Sequence, residues 1–205
     1  MKIVTVSREF GSGGREVGKR LADLLGFAYY DREIITAIAE KSSLDEDYIE
    51  KTIESGITRS YPITFSHSFA AYIPAAMTPA PGIIASQHAV IKEIASKGDC
   101  VIVGRCADVI LEDLNPFRLF VCADMSSKMN RCRLRAPEDE KLTDRELERK
   151  IKRIDKGRKE NHDILASYPW GDRRGYDLCV NTSGIDIKAI IPHIGGYIEE
   201  WFKQG

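Results

Sequence analysis

The chain moves repeatedly between short apolar runs and longer stretches in which apolar residues recur every three or four positions. Short runs of this kind form buried strands, and the longer period forms helices with one face on a core. Residues 2–7, KIVTVS, read as a first strand. Residues 14–25 follow as a helix with Val17, Leu21, Leu24 and Leu25 on one face, and Gly26 is a natural stop. FAYYD (27–31) reads as a second strand and REIITAIAEKS (32–42) as a second helix. Residues 43–55 read as a third helix, capped by Ser43 or Asp45. From residue 56 to 81 no period is sustained. Prolines, aromatics and small residues make a long connection there, a candidate substrate-covering segment.

The helical pattern resumes over 83–98. Three further apolar runs, DCVIVGR (99–105), FRLFVCA (117–123) and YDLCVNTS (176–183), read as strands. Residues 126–163 are helical and rich in both charges, with Thr143 and Glu146 at capping-box spacing and Glu148 and Lys152 as an i,i+4 pair. Residues 184–202 close the chain as a helix that Pro192 and the adjacent Gly195 and Gly196 are expected to kink or interrupt. Five apolar strands separated by helices predict an α/β fold with a mostly parallel sheet covered on both faces. Ligands bind such sheets at the carboxyl ends of the strands. The candidate positions are therefore 7–15, 31–32, 104–105, 124 and 181–183.

Composition narrows the function without naming it. The chain has 205 residues, enough for one α/β domain with a small inserted subdomain. Hydrophobic residues make up 43% and the formal net charge is −1, so no basic excess advertises nucleic acid or an anionic membrane. The start, MKIVTVSREF, lacks a signal peptide's apolar stretch, and no run approaches the roughly 20 apolar residues of a membrane span. A cytoplasmic protein, monomer or homodimer, is expected. The five cysteines are odd in number and lack C-x-x-C spacing, so they read as free thiols in a reducing compartment, with Cys100, Cys122 and Cys179 buried in strands. The four histidines show no metal-ligand spacing.

The chemistry concentrates near the start, in IVTVSREFGSGGREVGKRLADLLG (3–26). Strand, glycine-rich loop and helix is the outline of a phosphate-binding P-loop, whose pattern is G-x-x-x-x-G-K-[ST]. With the loop starting after the first strand, Gly11 and Gly13 take the inner glycine-type positions. Gly14 then takes the lysine position, Arg15 the adjoining Ser/Thr position with Glu16 just beyond it, and Arg8 stands in place of the first glycine. A second register, Gly13 to Lys19, sets the loop well beyond the strand and puts Lys19 inside the helix. Arg15 adjoins the missing lysine's position, Arg8 also lies in the loop, and guanidinium groups can bind phosphate bidentately. Glu16 either binds magnesium, directly or through water, or favours the helix N-terminus.

SREFGSGGREVGKRLADLLGFAYYDREII, VIVGRCADVIL and YDLCVNTS together resemble the cytidylate-kinase-like proteins, a divergent branch of the P-loop nucleoside monophosphate kinases, over nearly the whole chain. The resemblance implies a P-loop kinase fold with a five-stranded parallel sheet in the order 2-3-1-4-5. It implies one domain, 1–205, with its core at 1–41, 82–125 and 176–205, a monophosphate-binding insertion at about 42–81 and a lid at about 126–175. It also implies ATP and Mg2+ as cofactors and a nucleoside monophosphate, CMP or dCMP, as acceptor.

Carried over residue by residue, Gly11, Ser12, Gly13 and Gly14 match the phosphate loop, with Arg15 and Glu16 beside it. Asp31 matches an acidic residue bordering the monophosphate site, and Arg32 is placed to contact phosphate. Arg105 matches the acceptor-binding arginine of the family's G-R-D element. Cys106 replaces that element's aspartate, and Asp108 is the substitute at hand. Arg131 and Arg135 match the arginines that begin the lid, and Arg153 and Arg158 resemble its returning arginines, with Asp155 as the one aspartate between them. Arg15 and the lid arginines are expected to share the lysine's work. Two rival expectations remain: a kinase of another small acceptor, and a nucleotide-binding protein that has lost catalysis.

Overall fold

A computed structural model of the chain describes residues 1–42, 44–47, 49, 79–137, 140 and 142–204. Strands β1 (Ile3–Arg8), β2 (Ala28–Tyr30), β3 (Cys100–Val103), β4 (Phe117–Cys122) and β5 (Leu178–Asn181) form one sheet in the order β2-β3-β1-β4-β5. All four pairings are parallel, with Ile3 opposite Cys100 and Val4 opposite Phe117. This is the expected order. The described helices are α1 (Gly14–Leu25), α2 (Glu33–Ser42), α3 (Pro79–Ala95), α4 (Ala107–Ile110), α5 (Met125–Arg135), α6 (Asp144–Leu165) and α7 (Ile187–Gln204).

Strand alternation sends neighbouring side chains to opposite faces, and each face has its own core. Ile3, Cys100 and Ile102 meet Ile34 and Ile38 of α2 and Ile91 of α3 on one side. Val4, Val6, Val101 and Val103 meet Val17 and Leu21 of α1 and Ile191 and Ile198 of α7 on the other. The connection leaving β1 runs toward one edge of the sheet, and that leaving β4 runs toward the other. The loop after β1 therefore sits where the strand order reverses, the usual ligand crevice of such sheets.

Four details differ from expectation. The closing helix runs unbroken over Ile187–Gln204, through Pro192. One lost backbone donor is outweighed by the packing of its apolar face. Gly195, which looked like a breaker, is a contact residue: a Cβ there would come within 2.5 Å of Leu24 Cδ2 of α1. Helix α3 starts at Pro79, earlier than expected, because prolines in a first turn give up only N–H groups that have no helical partner. The cysteines are free, but Cys179 is exposed and Cys122 only half-buried. β5 is an edge strand whose Leu178 and Val180 turn to the α1–α7 core, which leaves Cys179 on the open side. Only the beginning of the expected third helix is described, where the Ile49 N–H donates to the Asp45 carbonyl at 3.1 Å. Tyr61, Phe65, Phe69 and Tyr72 lie outside the described residues. No helix among the described residues is long and apolar enough to cross a membrane.

Candidate active site

The loop between β1 and α1 turns on two glycines in the left-handed region, Gly11 (φ 77°) and Gly13 (φ 84°). Gly13 is the N-cap of α1 and brings no side chain to cap it, so the first N–H groups of a 12-residue helix face outward as an anion would need them. The loop is held from several sides. Ser12 is fully buried, its hydroxyl donating to the Glu9 carbonyl (2.8 Å), while its own carbonyl accepts from Thr182 Oγ1 (2.7 Å) and Arg131 Nη1 (3.4 Å). The Phe10 N–H donates to Asp155 Oδ1 of α6 (2.6 Å), and Arg158 Nη1 donates to the Arg8 carbonyl (3.0 Å). Lys128 of α5, 6% exposed, bridges Glu9 (2.7 Å) and Asp155 (3.0 Å). Burial opposes its charge, but the two carboxylates outweigh burial and hold the ammonium above its usual pKa.

Above the loop lies a cleft of about 280 Å³ between the β1–α1 turn and helices α5 and α6. Its walls carry seven cationic side chains, among them Arg8, Arg15, Arg131, Arg135 and Arg158, against the carboxylates of Glu9 and Glu140. Such an excess of guanidinium in a concave site attracts an anion with several charges. Arg8 is its most buried member. It ends β1, is 7% exposed, and reaches Asp31 only at 3.6 Å, whereas Arg15 Nε holds the same carboxylate at 2.7 Å. Burial, reinforced by Arg158, Arg105 and Arg15 and offset by Asp31, pushes the Arg8 guanidinium well below its usual pKa.

A smaller cavity of about 50 Å³ adjoins the cleft, walled by Arg8, Arg105, Arg158, Asn161, His162 and Trp170. Gly104 (φ 75°), Arg105 (φ 59°) and Cys106 (φ 54°) are successive left-handed residues at the end of β3. Left-handed backbone is costly for a residue with a Cβ, and such strain gathers at ligand sites. It is held here in part by Gln87 Nε2, which donates to the Arg105 carbonyl at 2.8 Å. Asp108 is 1% exposed, with Oδ2 3.2 Å from His162 Nε2 and accepting from the Tyr168 hydroxyl at 3.4 Å. Residues 168–172, YPWGD, thus help to build this cavity: Tyr168 reaches Asp108, and Trp170 is a wall.

The structure gathers Gly11, Gly13, Gly14, Arg15, Arg131, Arg135 and Arg158 around one cleft, with Ser12 buried in its floor and Arg105 and buried Asp31 at the adjoining strand ends. It does not bring Arg153 there. Five residues along a helix put Arg153 roughly 140° around from Arg158, on the solvent side of α6. Arg32 is exposed after β2, while its neighbour Asp31 turns inward. Lys19 lies on the solvent face of α1, paired with Asp23 at 2.8 Å, which disposes of the second loop register. Glu16 was the expected magnesium ligand, but its two oxygens are held by Arg20 Nε (3.0 Å) and Arg135 Nη2 (2.5 Å). No three His, Cys, Asp or Glu side chains converge as a metal site among the described residues. The donor set here does not fit a protein-held ion. Sequence reasoning left Lys128 and His162 out of the site, and it reached Arg8 and Thr182 only as residues that follow a strand, with no role assigned to Thr182. Arg8 had a signal, since it fills the first glycine position of the loop pattern; Lys128 reads from sequence as one more surface cation.

Sheet order and the glycine loop that leads into α1 define an α/β domain of P-loop kinase architecture. The chain belongs to the cytidylate kinase-like family, whose model matches residues 3–184. Among solved structures it is similar to an uncharacterized protein from Eubacterium ventriosum, at 27% identity and a TM-score of 0.67, covering 97% of this chain and 99% of that one. It also shares its fold with shikimate kinases. That from Bacteroides thetaiotaomicron is 14% identical with a TM-score of 0.57, covering 97% and 98%. That from Acinetobacter baumannii is 13% identical with a TM-score of 0.54, covering 98% and 94%. A search of curated proteins returned no match.

Proposed function

We propose that the chain transfers the γ-phosphoryl group of ATP, supplied with Mg2+, to a nucleoside monophosphate, with CMP or dCMP the first acceptor to try. The observation that carries this reading is the cationic cleft at the uncapped start of α1, joined through Arg8 and Arg158 to a second cavity walled by Arg105. Two adjoining anion sites suit a reaction between two phosphates. An acceptor phosphate oxygen forms the new P–O bond to the γ-phosphorus as the bond to the β-phosphate's bridging oxygen breaks, and ADP leaves. The attacking oxygen is already ionised near neutral pH, so no base is needed to take a proton. That matches the carboxylates on hand: Asp31 is engaged by Arg15, and Asp108 by His162 and Tyr168. An alcohol acceptor would call for a base. Transfer then depends on positioning and on neutralising charge, which Arg131, Arg135 and Arg158 around the cleft can do while α5 and α6 exclude water.

A coupled assay for ADP release, with ATP, Mg2+ and a panel of CMP, dCMP, UMP, AMP, GMP and dTMP, tests this. Release well above the acceptor-free control with CMP or dCMP is expected. Release with none of the panel would overturn the monophosphate acceptor.

A further inference from the structure

Gly14 occupies the position at which the P-loop pattern carries lysine. Its emptiness has a local cause. A Cβ at Gly14 would overlap Cβ of Arg8 and lie 2.8 Å from its Cγ. A side chain at position 14 would force Arg8 or the loop backbone to shift. Arg8 in turn stands at the pattern's first glycine, so the loop has exchanged its ends: glycine-then-lysine has become arginine-then-glycine. A second glycine makes room for the far end, because a Cβ at Gly104 would overlap Arg8 Nη1. The guanidinium comes to lie in the wall shared by the large cleft and the small cavity. It is 8% exposed there, its Nε has no hydrogen-bond partner among the described residues, and its ion pair to Asp31 is long.

We propose that Arg8 supplies this loop's phosphate-binding cation in place of the lysine, contacting the phosphoryl group that passes between the cleft and the cavity. The inference rests on the phosphotransferase reading above. Arg15, the alternative from sequence, is half-exposed and commits its Nε to Asp31. It acts as a positioning residue that draws the carboxylate away from Arg8.

Calorimetric titration with AMP and with a non-hydrolysable ATP analogue separates the possibilities without requiring turnover. It is run on the full chain, on Arg8→Gln, Arg8→Lys and Arg15→Gln, and on Arg8→Gly with and without Gly14→Lys, each checked for folding by thermal unfolding. Losing charge-assisted bonds to a phosphate should weaken analogue binding by Arg8→Gln about 10- to 100-fold. AMP binding should fall clearly less than analogue binding, and Arg8→Lys and Arg15→Gln should lose much less of the latter. The exchanged loop, Arg8→Gly with Gly14→Lys, should bind the analogue more tightly than Arg8→Gly alone, and this comparison decides if Arg8→Gln does not fold. Equal loss of AMP and analogue, or no loss, overturns the role of Arg8 while leaving the phosphotransferase reading intact. A wild-type chain that binds neither nucleotide overturns both.

Discussion

Glu16 shows how a side chain can be placed for one task and used for another. It stands in the first turn of α1, one residue past the position of the loop pattern's magnesium-binding hydroxyl, yet Arg20 and Arg135 hold its oxygens. Glu16→Gln should therefore leave the magnesium dependence of turnover unchanged and raise the KM for ATP a few-fold by loosening Arg135. A tenfold rise in half-saturating magnesium would instead make Glu16 a ligand. Thiol chemistry gives a second check. Burial, with help from Asp108, pushes the Cys106 thiol up to about 12. It stays protonated at pH 8, and only the thiolate reacts. Iodoacetamide followed by mass spectrometry should label exposed Cys179 well before Cys106. The placement of Asp31, Arg105 and the loop glycines beside the crevice was legible in the sequence because topology alone delivers strand ends there. Arg153 was misjudged because a spacing motif does not say which way a helix faces the cleft. Lys128 was missed because its burial depends on Glu9 and Asp155, far away in sequence.

Elements meet through side chains that are absent as much as through those present. Gly18 lets α1 lie against β3: a Cβ there would come within 2.6 Å of Val103 Cγ2. Gly18→Ala should cost about 1–3 kcal/mol through overpacking, read as a lower denaturant midpoint at unchanged slope. An unchanged midpoint would mean that α1 can shift outward. Period and caps made most elements legible, including the capping box of Thr143 and Glu146 that starts α6. What the pattern did not reveal was the continuity of α7, since a glycine kept small for a neighbouring Leu24 looks from sequence like one placed to end a helix.

At the scale of the molecule, a net charge of −1 conceals a cleft in which cations far outnumber carboxylates. Summed charge bears on solubility and encounter; only the fold reveals that the signs are segregated. The sheet was legible because five apolar runs survive any detail of loop chemistry, and its strand order came with the family resemblance. The overlap at Gly14 also bears on descent. An arginine at position 8 and a lysine at position 14 clash on this backbone, so adding either while the other remains would require the loop to shift. Single substitutions between the common loop and this one would then run most easily through an intermediate with glycine at both places. Such an intermediate, lacking either cation, would have survived only where another group, or a generous supply of nucleotide, masked the loss. Positions 8 and 14 should consequently change together across lineages, with few sequences caught between.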